Sequence, residues 1–198
     1  MNNKIQEPLI NLLIRHKSDR EEMFTMCIKS IYSQTYKKFQ LIISLETKEE
    51  MNDHIQNMEF ISVPDQHYNL HCNNLKSKVE SGWFFYLDDD DALNGPTVLE
   101  QLTDEIIKNY PWKGMYICQF LRNGRAKPTN DMIRKGIVKR GMIGGGCAVL
   151  HHSFKDVADW QGVQGGDFIW IDELMKKGVP TKFLPLVLQK TFQKGNGK

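Results

Sequence analysis

Residues Trp83 to Leu93 read WFFYLDDDDAL, five apolar residues followed at once by four carboxylates. The apolar run is short and unbroken, the pattern of a strand buried on both faces of a sheet. The aspartates then stand at its C-terminal end. Upstream, Pro8–Ile14 (PLINLLI) and Phe39–Leu45 (FQLIISL) read as strands of the same kind, and Phe60–Val63 as a short one stopped by Pro64. Helical stretches fall between them. Met23, Phe24, Cys27, Ile28 and Ile31 recur at helical spacing behind Ser18-Asp19-Arg20-Glu21, which has the form of a capping box, and that helix is expected to end near Gln34. Thr47–Met58 is polar and reads as helix. Leu70–Ser81 reads as a helix with Leu75 and Val79 inward, and Pro96 suits the first turn of a helix carrying Val98, Leu99, Leu102 and Ile106. Alternating strand and helix is the mark of a parallel α/β sheet. Ligands of such sheets bind outside the C-terminal strand ends, the position of Asp88–Asp91.

The second half is less regular. Met115–Leu121 reads as a strand, Asn123-Gly124 as a turn, Arg134–Gly146 as a basic, glycine-rich loop and Cys147–Leu150 as a short strand. Asp167–Lys177 is a helix closed by Gly178, and Thr181–Leu188 is the last strand. There are no repeats, no low-complexity tract and no clear linker, so the chain is expected to form one domain over residues 1–198.

The 198 residues suffice for a full core, and 40% hydrophobic with 25% charged residues is an ordinary globular mixture. Net charge is +2, from 26 basic and 24 acidic residues, which argues against a dedicated nucleic-acid binder. No apolar run approaches the ~18 residues of a membrane span. Cys27, Cys72, Cys118 and Cys147 form no CxxC pair, which suits buried thiols in a reducing compartment. A cytoplasmic place is expected, with peripheral membrane association left open.

Four adjacent carboxylates are costly, since two unit charges ~4 Å apart repel by ~4 kcal/mol at an effective dielectric near 20. A solvated acidic turn would let them splay apart, whereas an apolar strand pins the first one. A divalent cation would relieve the repulsion, and oxygen-only ligands select hard ions such as Mg²⁺ or Mn²⁺.

From here the chain resembles the family 2 glycosyltransferases of the GT-A fold, a Rossmann-like mixed sheet flanked by helices. The resemblance rests on four ordered blocks: LINLLIRHKSDREEMFTMCIKSIYSQTYKKFQLIIS, in which Ser30, Ile31, Gln34, Thr35 and Tyr36 match an S-I-x-x-Q-T-Y segment; YNLHCNNLKSKVESGWFFYLDDDDAL, with a D-x-D motif; GGGCAVLHHS; and GGDFIWIDELMKKG. It implies a nucleotide-sugar-binding half, 1–94, and an acceptor-binding half, 95–198. It further implies a nucleotide-sugar donor, with UDP favoured, and a carbohydrate or glycoconjugate acceptor. In that reading Asp88 faces the ribose or sugar and shares the metal, Mn²⁺ or Mg²⁺, with Asp90. Asp89 fills the variable middle place, Glu46 lies near the nucleobase, and Arg15 and Asn73 belong to the donor side. Asp91, Gly145, Gly146 and Trp160 fall to the acceptor side, and Asp167 is the base for the acceptor hydroxyl. Three features depart from the pattern: Arg15 and Lys17 replace a proline and tyrosine, Cys72 stands where an arginine is common, and the C-terminal LVLQKTFQKGNGK lacks the usual histidine.

Transfer needs charge stabilisation on the leaving diphosphate and proton removal from the acceptor. Arg15, Lys17, Arg134, Lys139 and Arg140 are the candidate phosphate-side cations. Each residue has a plainer reading. Asp167 at a helix start could be a cap, Glu46 a solvated strand end, and His151-His152 a structural pair rather than metal ligands. Trp170 suits the core, leaving Trp160 as the stacking candidate. Two rival functions stay open. One is a haloacid-dehalogenase-like phosphatase with Asp88 as nucleophile and Asp90 as acid/base. The other is a degenerate fold that binds without transferring.

Overall fold

The computed structural model describes residues 6–45, 58–62 and 67–192. The first strand, β1 (Ile10–Arg15), is flanked by parallel β2 (Phe39–Leu45) and β4 (Trp83–Asp88), with β3 (Met58–Ser62) beyond β2. Period-2 alternation sends these strands into two apolar layers. Leu12, Ile14, Leu41, Ile43, Phe85 and Leu87 pack with Cys27 and Ile31 of α1 (Glu21–Tyr32), and with Val98, Leu99, Leu102 and Ile106 of α3 (Val98–Lys108). Leu13, Ile42, Phe84 and Tyr86 face the other way. They meet Cys72 and Leu75 of α2 (Tyr68–Ser77), and Trp170, Ile171 and Leu174 of α5 (Gly166–Lys176). The near-continuous apolar runs are thus explained by burial on both faces.

The remaining strands turn the sheet mixed. β4 is followed by an antiparallel β8 (Ala148–His151), then β6 (Met115–Arg122), β9 (Thr181–Thr191) and β5 (Asp91–Leu93), while β7 (Arg125–Lys127) pairs on β6. β5 follows β4 after only Asp89 and Asp90, yet it pairs with β9, Asp91 opposite Thr191. The sheet therefore curls, and the end of β9 closes on the acidic turn.

Several expectations need correction. α1 starts at Glu21 after a 3-10 turn, with Arg20 rather than Ser18 as its N-cap and no side-chain cap bond. Pro96 precedes α3 rather than opening it, and its carbonyl accepts the Thr35 N–H at 2.8 Å. The basic stretch is not all loop: α4 (Asn130–Lys135) is capped by the Thr129 hydroxyl and closed by Gly136 at φ 65°. The last strand runs on to Thr191 because β5 and β6 pair with its end. Asn123 (φ 51°) and Gly124 (φ 70°) make the expected turn, which joins β6 to β7. The polar stretch read as helix lies outside the described residues, except that Met58 opens β3. All four cysteines are buried and free. No helix among the described residues is long and apolar enough to cross a membrane.

Candidate active site

The four aspartates leave β4 in four different situations. Parallel register places Asp88 beside Arg15, and the Arg15 guanidinium lies 3.9 Å from its carboxylate. The Asp88 side chain is 59% exposed and borders a cavity of about 570 Å³. Asp89 turns the other way and is 0% exposed. Its Oδ2 accepts the Lys17 N–H at 2.8 Å and contacts His16 Nδ1 at 3.2 Å, while its Oδ1 accepts Arg20 Nη1 at 3.0 Å. The His16 ring is stacked on Phe24. Burial would raise the Asp89 pKa, but the bonds from His16, Lys17 and Arg20 outweigh it and hold the group below the usual value.

The same Arg20 nitrogen reaches Asp90 Oδ2 at 3.0 Å, so one guanidinium bridges two carboxylates. Asp90 is nearly buried yet lines the cavity, as does Asp91. Burial, then the charges of Asp88 and Asp90, push Asp91 up to about 9. The turn thus brings mutually repelling carboxyl groups to its cavity side.

The facing wall comes from the second half of the chain. Gly145 and Gly146 form a 3-10 turn before β8. A Cβ on Gly145 would lie 2.5 Å from the Trp160 ring, and one on Gly146 would lie 2.3 Å from the Gln189 amide nitrogen. Only glycine lets this backbone lie so close to both side chains. Trp160 borders the cavity but is 5% exposed, stacked on Trp170 with centroids 5.0 Å apart. It is a packed wall rather than an exposed platform. Asn73 does not reach the cavity. Its carboxamide donates to the Trp160 carbonyl at 2.9 Å and accepts the Trp160 N–H at 2.8 Å, fixing that wall. Asn69 ties the following loop, donating to the carbonyls of Gln161 (3.2 Å) and Val163 (2.8 Å).

Asp167 lies in the first turn of α5 and lines the same cavity. It is not the N-cap, which is Gly165 at φ 79°. Its Oδ1 accepts the Phe168 N–H at 2.7 Å, and Oδ2 would lie 3.9 Å from a Cβ on Gly144. Burial raises its pKa, against the Phe168 bond and the charge of Arg140. One cavity therefore unites Arg15, Asp88, Asp90 and Asp91 with Gly144–Gly146, Trp160 and Asp167. Its volume falls within the ~300–1,000 Å³ typical of ligand sites.

The other sequence candidates fall elsewhere. Glu46 lies outside the described residues. Lys17 contributes its backbone to Asp89, Arg134 pairs with Asp131 at 2.6 Å on α4, and neither they nor Lys139 line the cavity. Arg140 does, donating to the Gln164 carbonyl at 2.9 Å. His151 sits opposite Trp83, at the far end of β4 from the aspartates, and bonds Ser153 at 2.8 Å; burial lowers its pKa to about 4. Arg20, His16, Arg122 and Gln189 shape the site without having been singled out by sequence. Among the described residues no group of three or more His, Cys, Asp or Glu is arranged to hold an ion. The donor set Asp88, Asp90 and Asp91 is all oxygen, and Mg²⁺-type sites use one or two carboxylates plus substrate phosphates. These residues fit a cation that arrives with a phosphate ligand.

No protein-family model matches the chain, and no curated protein matches it. Solved structures do. TarS residues 1–349 from S. aureus, in complex with UDP-GlcNAc, aligns over 94% of this chain and 59% of its own at TM-score 0.73 and 12% identity. The longer S. aureus TarS structure aligns over 92% and 36% at TM-score 0.72 and 12% identity. Mannosyltransferase PcManGT from Pyrobaculum calidifontis, in complex with GDP-Man and Mn²⁺, aligns over 98% and 59% at TM-score 0.70 and 12% identity. The chain spans 60% or less of the length of each of these solved chains. The curled mixed sheet, shared across nearly the whole chain with these glycosyltransferases, is of the GT-A type.

Proposed function

We propose that this chain is an inverting glycosyltransferase that moves a sugar from a nucleotide-diphosphate donor, UDP-linked by preference, to a hydroxyl of a carbohydrate or glycoconjugate. The observation that carries the reading is the single cavity joining the acidic turn to Asp167. Neighbours solved with UDP-GlcNAc and with GDP-Man and Mn²⁺ support the donor class. Asp88 and Asp90 would hold Mn²⁺ or Mg²⁺ together with the donor's phosphates. A cation bound there supplies Lewis-acid stabilisation of the leaving diphosphate. Arg15 neutralises charge beside Asp88, and Arg20 fixes the aim of Asp90. The backbone of Gly144–Gly146, packed against Trp160 and Gln189, would form the acceptor-side wall, to which Asp91 is also assigned.

In the step itself the acceptor oxygen bonds to the anomeric carbon as the bond from that carbon to the phosphate oxygen breaks. The electron pair leaves on the diphosphate, and the acceptor proton passes to Asp167. Attack opposite the leaving group inverts the centre and needs no covalent enzyme intermediate. Burial keeps Asp167 more basic than an ordinary aspartate, which suits a proton acceptor.

The test is calorimetric titration with UDP in Mn²⁺ and in chelator. Metal should tighten binding, and Asp90→Asn should remove most of the difference. Equal affinities with and without metal refute the metal-bridged site.

A further inference from the structure

The segment from Arg122 to Arg140, RNGRAKPTNDMIRKGIVKR, holds seven cations against one acid, Asp131. The rest of the chain has 19 basic and 23 acidic residues, a net charge of −4 against +6 here. Asp131 is already shared by Arg134 at 2.6 Å and Lys135 at 2.8 Å. Among the described residues no carboxylate lies within 4.0 Å of the cationic groups of Arg122, Arg125, Lys127, Lys139 or Arg140. So dense a field of one sign raises the local concentration of a complementary partner.

Its placement is specific. The β6–β7 register pairs Phe120 with Lys127 and Arg122 with Arg125. Cross-strand partners share a face, and alternate residues return to it. Phe120 and Arg122 line the cavity, so Arg125 and Lys127 carry the same face outward from it. Arg140 borders the cavity from the other side, held by the Gln164 carbonyl beside Gly165 and the start of α5. Arg122, Arg125, Lys127 and Arg140 therefore rim the mouth shared with Gly144–Gly146 and Asp167, with Lys139 next to Arg140 in sequence and Arg122 level with Asp91 across Thr191.

We infer that the acceptor is an anionic carbohydrate chain, with closely spaced phosphate or carboxylate groups that dock on the rim formed by Arg122, Arg125, Lys127, Lys139 and Arg140. This rests on the reading of Asp167 and Gly144–Gly146 as the acceptor side. The rim guides a charged polymer across the mouth, and one of its hydroxyls reaches Asp167. Rim charges act chiefly on encounter rate and salt dependence, so binding should be strongly salt-sensitive.

The test uses calorimetry of the whole chain with three probes: inorganic polyphosphate, polygalacturonate and neutral dextran. Polyphosphate, polygalacturonate or both should bind, and dextran should not. Whichever binds tells phosphate from carboxylate. Affinity should fall at least ~10-fold between about 0.1 and 1 M salt, as the screening length shrinks from about 10 to about 3 Å. The variant Arg125→Glu/Lys127→Glu/Lys139→Glu should weaken polyanion binding at least ~10-fold while leaving UDP affinity unchanged, because none of the three lines the cavity. Lys29→Glu/Lys37→Glu/Lys113→Glu, exposed positions on other elements, should bind as wild type.

Wild-type affinity in the rim variant overturns the inference, as does dextran binding equal to that of the polyanions. Preference for single-stranded RNA over both acidic probes by more than tenfold makes the rim a nucleic-acid surface and also overturns it. Displacement of polyanion by UDP, unaltered in the rim variant, places the polyanion at the donor side and has the same result. If UDP fails to bind wild type while the rim behaves as expected, the donor-site reading fails and the charged docking surface stands.

Discussion

Asp89 separates two ways of reading the acidic turn. If it is a clamp rather than a donor contact, Asp89→Asn should cost stability first. The side chain accepts on both oxygens, from the Lys17 N–H and His16 on Oδ2 and from Arg20 on Oδ1. An asparagine has one acceptor oxygen, so either way round its NH₂ meets a donor. Turned one way it opposes Arg20; turned the other it opposes the Lys17 N–H. A hydrogen bond to a charged group contributes ~1.5–3 kcal/mol, and breaking a buried ion pair from one side costs ~3–5 kcal/mol. Arg20 keeps its bond to Asp90, so the lower part of that span applies, about 2–4 kcal/mol. For a chain of this size that is a fall in Tm of about 4–16 °C. The assay is a thermal melt beside UDP titration in Mn²⁺, with Asp90→Asn in parallel. Asp89→Asn should show the larger stability loss and Asp90→Asn the larger loss of nucleotide affinity. An unchanged Tm with nucleotide binding abolished in Asp89→Asn would refute the clamp.

Two further outcomes follow from the facing wall. Transfer by wild type should lose rate toward acid, with a limb above the ordinary aspartate range because burial raises Asp167; Asp167→Asn should lack that limb and fall ~10²–10⁴-fold with nucleotide affinity nearly intact, and near wild-type transfer would send the search for the base elsewhere. Gly145→Ala should destabilise by ~1–3 kcal/mol, since its Cβ would sit 2.5 Å from a tryptophan already stacked on Trp170; a melt identical to wild type would show that the wall is looser than this geometry requires.

What could be read from sequence follows from where the constraints are local. WFFYL, FQLIISL and PLINLLI were readable as strands because burial on both faces leaves an apolar run with no polar alternation. Leu75, Val79 and the α3 stripe were readable because one helix face meets one core. The acidic turn announced itself because four carboxylates after such a strand have few bland explanations. The different roles of those four were not readable. Asp89 is set apart by His16, Lys17 and Arg20, which lie 69 to 73 positions away, and nothing in SDRE marks Arg20 as their partner. Asn73 looked like a ligand contact because its helix precedes the strand that ends in the aspartates, yet its amide is matched to the Trp160 backbone 87 positions away. α4 did carry local signals, Thr129 before it and Gly136 after it, which the density of lysine and arginine hid. The end of β9 carried none, since Gln189 to Thr191 are strand because β5 and β6 pair with them.

The same long-range contacts explain how the cavity holds its shape. One sheet runs through both halves of the sequence: β8 inserts beside β4, and the end of β9 meets β5 directly after the acidic turn. On the other layer Asn69 and Asn73 of α2 fasten the loop that carries Trp160 and leads into Asp167. The acidic turn is therefore set by backbone pairing, which is rigid, and the facing wall by side-chain amides on backbone groups, each a bond of ~1 kcal/mol net. If either wall moves when a donor binds, the loop from Trp160 to Gly165 has the weaker fastening. A substitution such as Asn73→Ala should loosen it while leaving Asp88 and Arg15 in register.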